Sequence, residues 1–312
     1  VNEFELIARL MPGLPRNAAV VTGAGDDCAV LDVGLPDRWL LFKTDAVVAG
    51  VHFDASARPE QIGHKALARP LSDIAAMAGE PSSALITLAL PRDFDPAFVE
   101  AVYAGLNALA TRYGVAVVGG ETTSNPERLL LAVAVLGWVP RDRAVRRAGA
   151  RPGDALFVTG ELGGSRAGHH LDFEPRLAEA RWLAMHFEVH AMIDLSDGLA
   201  GDLRHLLAAS GVGAELRAES IPISRAARQL ARTGHAGGSP LTAALTDGED
   251  FELLFTVPAG QAVALRDAWH AQFPGVRLTC IGKITAEPGL RLRDRRGLHS
   301  LTLHGYAHFA ES

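Results

Sequence analysis

The chain has 312 residues, 48% of them hydrophobic, which is enough to bury a large core and points to two domains rather than one. Its formal net charge of -6, with no run of lysine and arginine forming a basic stripe, argues against nucleic-acid binding. Cys28 and Cys280, far apart and outside any Cys-x-x-Cys spacing, encode neither a disulfide framework nor a zinc site and suit a reducing cytoplasm.

The N-terminal stretch carries a helical apolar pattern (Phe4, Ile7, Leu10, Met11) interrupted by Glu3 and Glu5. It reads as neither a signal peptide nor a membrane span, and no later apolar run is long enough to cross a bilayer. Gly23-Ala24-Gly25-Asp26-Asp27 then sets two adjacent carboxylates in a glycine-rich turn before a strand over residues 28–31. Like charges side by side repel, so this turn is either exposed and screened by water or the seat of a hard cation. A strand over 39–45 ends on Thr44-Asp45, and a second extended run over 46–53 delivers His52. Residues 59–77 have helical spacing and include Ser72-Asp73, with Pro70 expected to kink or restart the helix.

A strand over 84–90, a helix over 95–113 and a buried strand over 115–118 lead into Gly119-Gly120-Glu121. Residues 129–139 form a nearly unbroken apolar run, expected to be a strand buried on both faces. Strands outnumber helices and do not alternate regularly with them, which predicts α+β rather than a doubly wound sheet. Residues 140–154, rich in Arg, Gly and Pro, read as the link between a domain over 1–139 and another over 140–312.

The second half opens with a strand over 155–159 and the glycine-rich turn Gly160-Glu161-Leu162-Gly163-Gly164-Ser165. A helix over 175–189 precedes Asp194-Leu195-Ser196-Asp197-Gly198, and another helix covers 199–209. The polar turn Asp247-Gly248-Glu249-Asp250 feeds a strand over 251–257, followed by a helix over 259–271 and a strand over 277–283.

Acidic residues recur near the ends of these elements: Asp26, Asp27, Asp45, Asp73, Glu121, Asp194 and Asp197. Oxygen donors without a Cys or His cluster suit Mg²⁺, which completes its shell with water and phosphate oxygens. Glycine-flanked backbone N–H groups at Gly119-Gly120 and Gly163-Gly164 could cradle those phosphates. The combination is what phosphoryl transfer requires, although each acid alone suits a cap or turn, as Asp197 would before the helix at 199. No P-loop, dinucleotide fingerprint or nucleophile elbow is present, and His186 and His190 lack the glutamate spacing of a zincin.

Taken together, Gly25-Asp26-Asp27-Cys28-Ala29, Thr44-Asp45, Gly50-Val51-His52-Phe53, Lys65-Ala66-Leu67-Ala68, Leu71-Ser72-Asp73, Gly119-Gly120-Glu121-Thr122-Thr123, Asp194-Leu195-Ser196-Asp197-Gly198 and Gly248-Glu249-Asp250-Phe251-Glu252-Leu253 resemble the thiamine-monophosphate kinase family. The match extends to Gly305-Tyr306-Ala307-His308-Phe309. That family shares a superfamily with aminoimidazole ribonucleotide synthetase, selenophosphate synthetase and a hydrogenase-maturation protein. The resemblance implies a two-domain α+β fold whose N-terminal domains pair in a homodimer. It also implies a cytoplasmic enzyme that makes thiamine diphosphate from thiamine monophosphate and ATP, by direct transfer with Mg²⁺.

Carried over by motif, the metal ligands would be Asp27, Lys43, Thr44, Asp45, Asp73, Glu121, Asp194 and Asp197, with Asp27 and Asp197 serving catalysis. Lys43 occupies a position where family members can offer a hydroxyl. Tyr103, Gly120, Glu121, Arg147 and Ser196 would contact nucleotide, and His52, Glu249 and Leu303 would face the thiamine phosphate. Departures from the family pattern are Glu121 for Asp, Pro70 for Asn, Asp247 for Gly, Leu303 for an aromatic, and a short 168–194 segment. The alternative is a nucleotide-binding superfamily member with lost or altered catalysis.

Overall fold

The structure, a computed structural model, describes residues 3–233 and 238–306, so the motif residues Ala307, His308 and Phe309 lie outside the described residues. Two sheets organise the chain. The first half runs α1 (Glu3–Leu10), β1 (Val20–Thr22), β2 (Ala29–Leu31), β3 (Arg38–Val48), α2 (Pro59–Ala76), β4 (Glu80–Leu90), α3 (Pro96–Tyr113), β5 (Ala116–Ser124) and β6 (Leu130–Pro140). Its six strands lie in the order β1-β2-β3-β6-β4-β5, antiparallel except for the parallel β4–β5 pair.

Helix α2 packs on β3 and β6, and α3 packs on α2. The helices meet through two glycines. A Cβ at Gly63 would stand 1.8 Å from the Val102 carbonyl oxygen, and one at Gly105 would stand 1.9 Å from that of Glu60. Asp95 caps α3 by accepting from Ala97 N–H at 2.9 Å, and Gly114 closes it in the left-handed conformation.

The second half runs β7 (Ala155–Thr159), α4 (His169–Asp172), α5 (Leu177–His186), β8 (Ala191–Asp194), α6 (Leu199–Ser210), β9 (Gly213–Arg217), α7 (Arg225–Thr233), α8 (Pro240–Thr246), β10 (Leu253–Val257), α9 (Ala262–Gln272), β11 (Leu278–Thr285), β12 (Gly289–Asp294) and β13 (Gly297–Ser300). Its seven strands lie in the order β13-β12-β9-β11-β7-β10-β8. Helix α2 is shared: besides β3 and β6 it touches α4, α5 and β8, and one apolar cluster continues from Leu67 and Leu71 to Phe157 and Phe255. The fold is α+β, as expected.

Several elements differ from expectation. Residues 39–48 belong to one strand, β3, and the extended run stops at Val48, after which a turn carries His52. Helix α2 passes through Pro70 without a restart. The proline forfeits one backbone hydrogen bond, but Leu67, Leu71 and Ile74 around it are fully buried and hold the helix in place. The strand expected to be buried over 115–118 is the exposed edge strand β5, and it continues through Gly119, Gly120 and Glu121.

Strand β6 was expected to be buried on both faces, yet only one is: Leu131, Val133, Val135 and Val139 are buried, and the alternate residues are half-exposed. The cause is that the two helices cover a single face of the sheet. On the open side stand Phe42 (46% exposed) and Leu85 (48%). No helix among the described residues is long and apolar enough to cross a membrane.

Candidate active site

Three carboxylates from three elements converge where the sheets meet. Asp27 comes from the turn before β2, Asp73 from the buried side of α2, and Asp194 from the last position of β8. One oxygen from each lies within 4.8 Å of the others, and all three side chains are buried. Local partners hold them: Arg147 Nη2 donates to Asp27 at 2.7 Å, Lys43 Nζ to Asp73 at 2.7 Å, and Ser72 Oγ to Asp194 at 2.6 Å. Oδ2 of Asp27 is buried and accepts no hydrogen bond among the described residues.

The electrostatics follow from this crowding. Burial and the neighbouring Asp27 push Asp194 up to about 7, and burial with Asp27 raises Asp26 to about 6. Burial also raises Asp73, against the pull of Lys43. Burial works against the Lys43 and Arg147 charges, yet Asp73 and Asp27 outweigh it and keep both groups protonated. Four acids face only two internal cations, and the raised values of Asp26, Asp73 and Asp194 show that crowding them without further positive charge is costly. The oxygen-only donor set and the orphaned Asp27 oxygen fit a hard divalent cation such as Mg²⁺, with Asp27, Asp73 and Asp194 as its holders.

Beside the cluster lies a small cleft lined by His52, Arg69, Arg166, Ser196, Asp197, Asp247, Glu249, Phe251 and Tyr306, among others. The loop carrying Glu249 is strained: Glu249 and Phe251 have φ of 56° and 50°, a region side-chain-bearing residues rarely enter. The surroundings hold it there. Glu249 N–H donates to the Ser196 carbonyl at 2.7 Å, Phe251 N–H to that of Leu195 at 2.8 Å, and the Phe251 ring stacks on Phe173 at 3.8 Å. Lys65 Nζ, fully buried, donates to both Glu249 Oε1 and the His52 carbonyl at 2.6 Å, tying the first half to the second. Burial pulls its pKa down to about 8 despite Glu249. Val48 N–H donates to His52 Nδ1 at 3.1 Å, which places the proton of the neutral ring on Nε2.

The expected residues separate into groups. Asp27, Asp73 and Asp194 form the cluster, with Lys43 and Arg147 bound to it. Lys43 is there as a counter-cation to Asp73, so it stands in for a metal charge where a hydroxyl would have been a ligand. His52, Ser196, Asp197 and Glu249 line the cleft, and Asp45 stands 3.6 Å from Arg69 at its edge. Thr44 points to the opposite face of β3 from Lys43 and Asp45, because side chains alternate along a strand.

Tyr103 lies on α3, and Gly120 and Glu121 lie on edge strand β5, three strands from β3 and roughly 14 Å away at ~4.8 Å per strand. Neither the carboxylate cluster nor the cleft lining includes them. Leu303 is absent from the cleft lining, where Tyr306 supplies the aromatic ring instead. Gly163 and Gly164 do not offer their N–H groups to a ligand, since they donate to Asp250 and Asp247 at 2.9 Å. The N-cap position of α6 is Gly198 rather than Asp197. Asp202 reaches back to the N–H groups of Asp197 and Gly198, at 3.0 Å each. Lys65, Arg69, Arg166 and Tyr306 escaped the sequence reading of the site; only the Lys65-Ala66-Leu67-Ala68 motif and the C-terminal Gly305-Tyr306 pointed to any of them.

Comparison with known proteins identifies the family. Residues 25–139 match the model of the AIR synthase related protein N-terminal domain, and residues 151–295 match that of the C-terminal domain. Thiamine-monophosphate kinase of Rhodopirellula baltica is 43% identical over 87% of this chain and 85% of its own. That of Escherichia coli K12 is 38% identical over 99% and 98%. A solved structure described as AaThiL complexed with AMPPCP and TMP superposes with a TM-score of 0.83 and 32% identity, covering 99% of this chain and 97% of that one. The chain belongs to the AIR synthase related proteins and, within them, to the thiamine-monophosphate kinase family.

Proposed function

We propose that this protein transfers the γ-phosphoryl group of ATP directly to the phosphate of thiamine monophosphate, giving thiamine diphosphate and ADP, with Mg²⁺ as its metal. The observation that carries this reading is the convergence of Asp27, Asp73 and Asp194, one of them with a buried unpartnered oxygen, next to a cleft lined by arginines. Bound Mg²⁺ would neutralise charge on the phosphates. The chain's own residues do the remaining work. Arg147, Lys43 and Ser72 fix the three carboxylates, and the strained 248–251 loop closes over the acceptor with Glu249 held by Lys65.

No general base is required. The accepting group is a phosphate oxygen whose second ionisation lies at about 6, so it is already unprotonated at neutral pH. Catalysis then reduces to orientation and charge neutralisation, which is what the buried and hydrogen-bonded constellation supplies.

The reading includes a cytoplasmic homodimer and the division of the chain into units of 1–139 and 140–312. The half-exposed apolar face of the first sheet, with Phe42 and Leu85, and the open edge β5 with Val118 (62% exposed) support pairing with a second copy. Such pairing would give Tyr103, Gly120 and Glu121 a route to the nucleotide through the partner, which one chain does not provide. Thiamine diphosphate formation from thiamine monophosphate, ATP and Mg²⁺ tests the reading. Product dependent on all three is expected. Nucleotide binding without product identifies the member as one with lost catalysis.

A further inference from the structure

Glu249 sits among three cations: Lys65 Nζ at 2.6 Å, Arg69 Nη1 at 3.8 Å and Arg166 Nε at 4.0 Å. One cation suffices to balance one carboxylate, and Lys65 takes that place with a hydrogen bond from a fully buried position. The two arginines are therefore surplus to Glu249. Arg69 also approaches Asp45, but at 3.6 Å and without a hydrogen bond. Arg69 and Arg166 meet acids only at 3.6, 3.8 and 4.0 Å, and the Arg69 Nε is buried with no partner among the described residues. Each carries five N–H donors in a planar fork that matches phosphate oxygens.

Each guanidinium has an aromatic ring beside it. Arg69 lies over Phe251 at 6.0 Å and Arg166 over Tyr306 at 5.9 Å. Both line the same cleft, whose lining also holds Asp197 and Asp247, the latter accepting from Gly164 N–H. A nucleotide phosphate arrives with a metal and is met by carboxylates. A phosphate monoester arriving without a metal needs its counter-charge from the protein.

We propose that Arg69 and Arg166 form a seat for a phosphate monoester dianion, and that in the reaction proposed above it holds the phosphate of the acceptor and sets the preference for a phosphorylated over an unphosphorylated acceptor. The discrimination arises because an acceptor lacking the phosphate leaves the buried Arg69 Nε donor unpaired.

Calorimetry in the presence of a chelator tests the seat, using thiamine monophosphate, thiamine and inorganic phosphate as probes. The proteins are the wild type, Arg69→Met, Arg166→Met and the double variant; methionine keeps an apolar stem in place of the guanidinium. Each single variant is expected to bind thiamine monophosphate roughly tenfold to a hundredfold more weakly, with thiamine binding unchanged and inorganic phosphate binding lost in the double variant. The thermal shift given by Mg²⁺ and AMPPCP reports folding. Should Arg69→Met lose that shift, Arg166→Met, at a side chain 59% exposed, decides alone.

Equal weakening for thiamine and thiamine monophosphate, or none for either, overturns the seat while leaving the kinase reading intact. Failure of the wild type to bind thiamine monophosphate, with arginine-dependent binding of inorganic phosphate, overturns the kinase reading and leaves the seat standing.

Discussion

The carboxylate cluster and the immediate surroundings of Glu249 are built from opposite imbalances. In the cluster, Asp26, Asp27, Asp73 and Asp194 exceed Lys43 and Arg147, and burial with mutual repulsion pushes Asp26 and Asp194 up to about 6 and about 7. Around Glu249 the cations are in excess, and burial pulls Lys65 down to about 8. Each imbalance costs stability in the unliganded protein and is relieved by a ligand of the complementary sign. Under the proposed function, that difference would send a metal-bound nucleotide to the acids and a phosphate monoester to the arginines.

The largest effect is expected at the cluster. Asp27→Asn removes the carboxylate with the orphaned oxygen and should lower turnover at least about a thousandfold, since several kcal/mol of charge stabilisation depends on it. Its melting temperature without ligand should not fall much, because a repelling charge has gone, while the shift given by Mg²⁺ and AMPPCP should shrink. Melts and rates on the same preparation check both halves of this expectation.

Next comes the open sheet face. Leu85→Asp places a charge on a side chain 48% exposed in the single chain, so the fold should survive. Dimer dissociation, read by sedimentation, should become at least about a hundredfold easier, and activity should fall with it. Full activity in a monomeric Leu85→Asp protein would remove the reason for assigning Tyr103, Gly120 and Glu121 to the nucleotide.

A smaller effect is set by Lys65. Its pKa is depressed, so it carries charge below about pH 8 and loses it above. Glu249 then faces only Arg69 and Arg166, and the cleft becomes less attractive to a dianion. Nearby His170 has its own pKa lowered by burial and contributes no charge change in this range. The dissociation constant for thiamine monophosphate should rise several-fold to about tenfold between pH 7 and 9.5. Lys65→Met should flatten that rise, as measured by calorimetry across the range. Folding stability carries the same signature: the unfolded chain binds more protons between pH 8 and 10.5, so the Lys65 contribution becomes more favourable as pH rises.

The smallest effect lies outside both regions. Asp95→Ala removes the cap of α3 and should cost about 1 kcal/mol of stability without altering either ligand's affinity. Thermal melts and calorimetry on that variant calibrate the others.

Much of the cluster was legible because each of its acids ends or begins an element with a distinctive local signal: Asp27 after glycines, Asp73 after Ser72 on an apolar helix, Asp194 at the close of a strand. The cleft was less legible. Lys65 and Arg69 are separated from Glu249 by more than half the chain, and only the docking of α2 against the second half brings them together. The glycines misled for a related reason. Gly163 and Gly164 read as a phosphate cradle, but their donors are spent on Asp250 and Asp247, which follow them by more than eighty residues. Strand β5 read as buried from Val115 to Val118 because an apolar run looks the same at a core and at an uncovered sheet edge. Strands β9, β12 and β13 and helices α7 and α8 were missed, their short or charged segments giving no clear period.

The central claim, direct transfer between a metal-bound nucleotide and an arginine-held phosphate, is tested most directly by a single turnover with γ-labelled ATP. Enzyme in excess over ATP, with saturating thiamine monophosphate and Mg²⁺, is quenched over time and its products separated. The account predicts label passing from ATP to thiamine diphosphate with no labelled protein at any time, and no transfer in Asp27→Asn. Label trapped on the protein, or released as inorganic phosphate with no thiamine diphosphate formed, would contradict it.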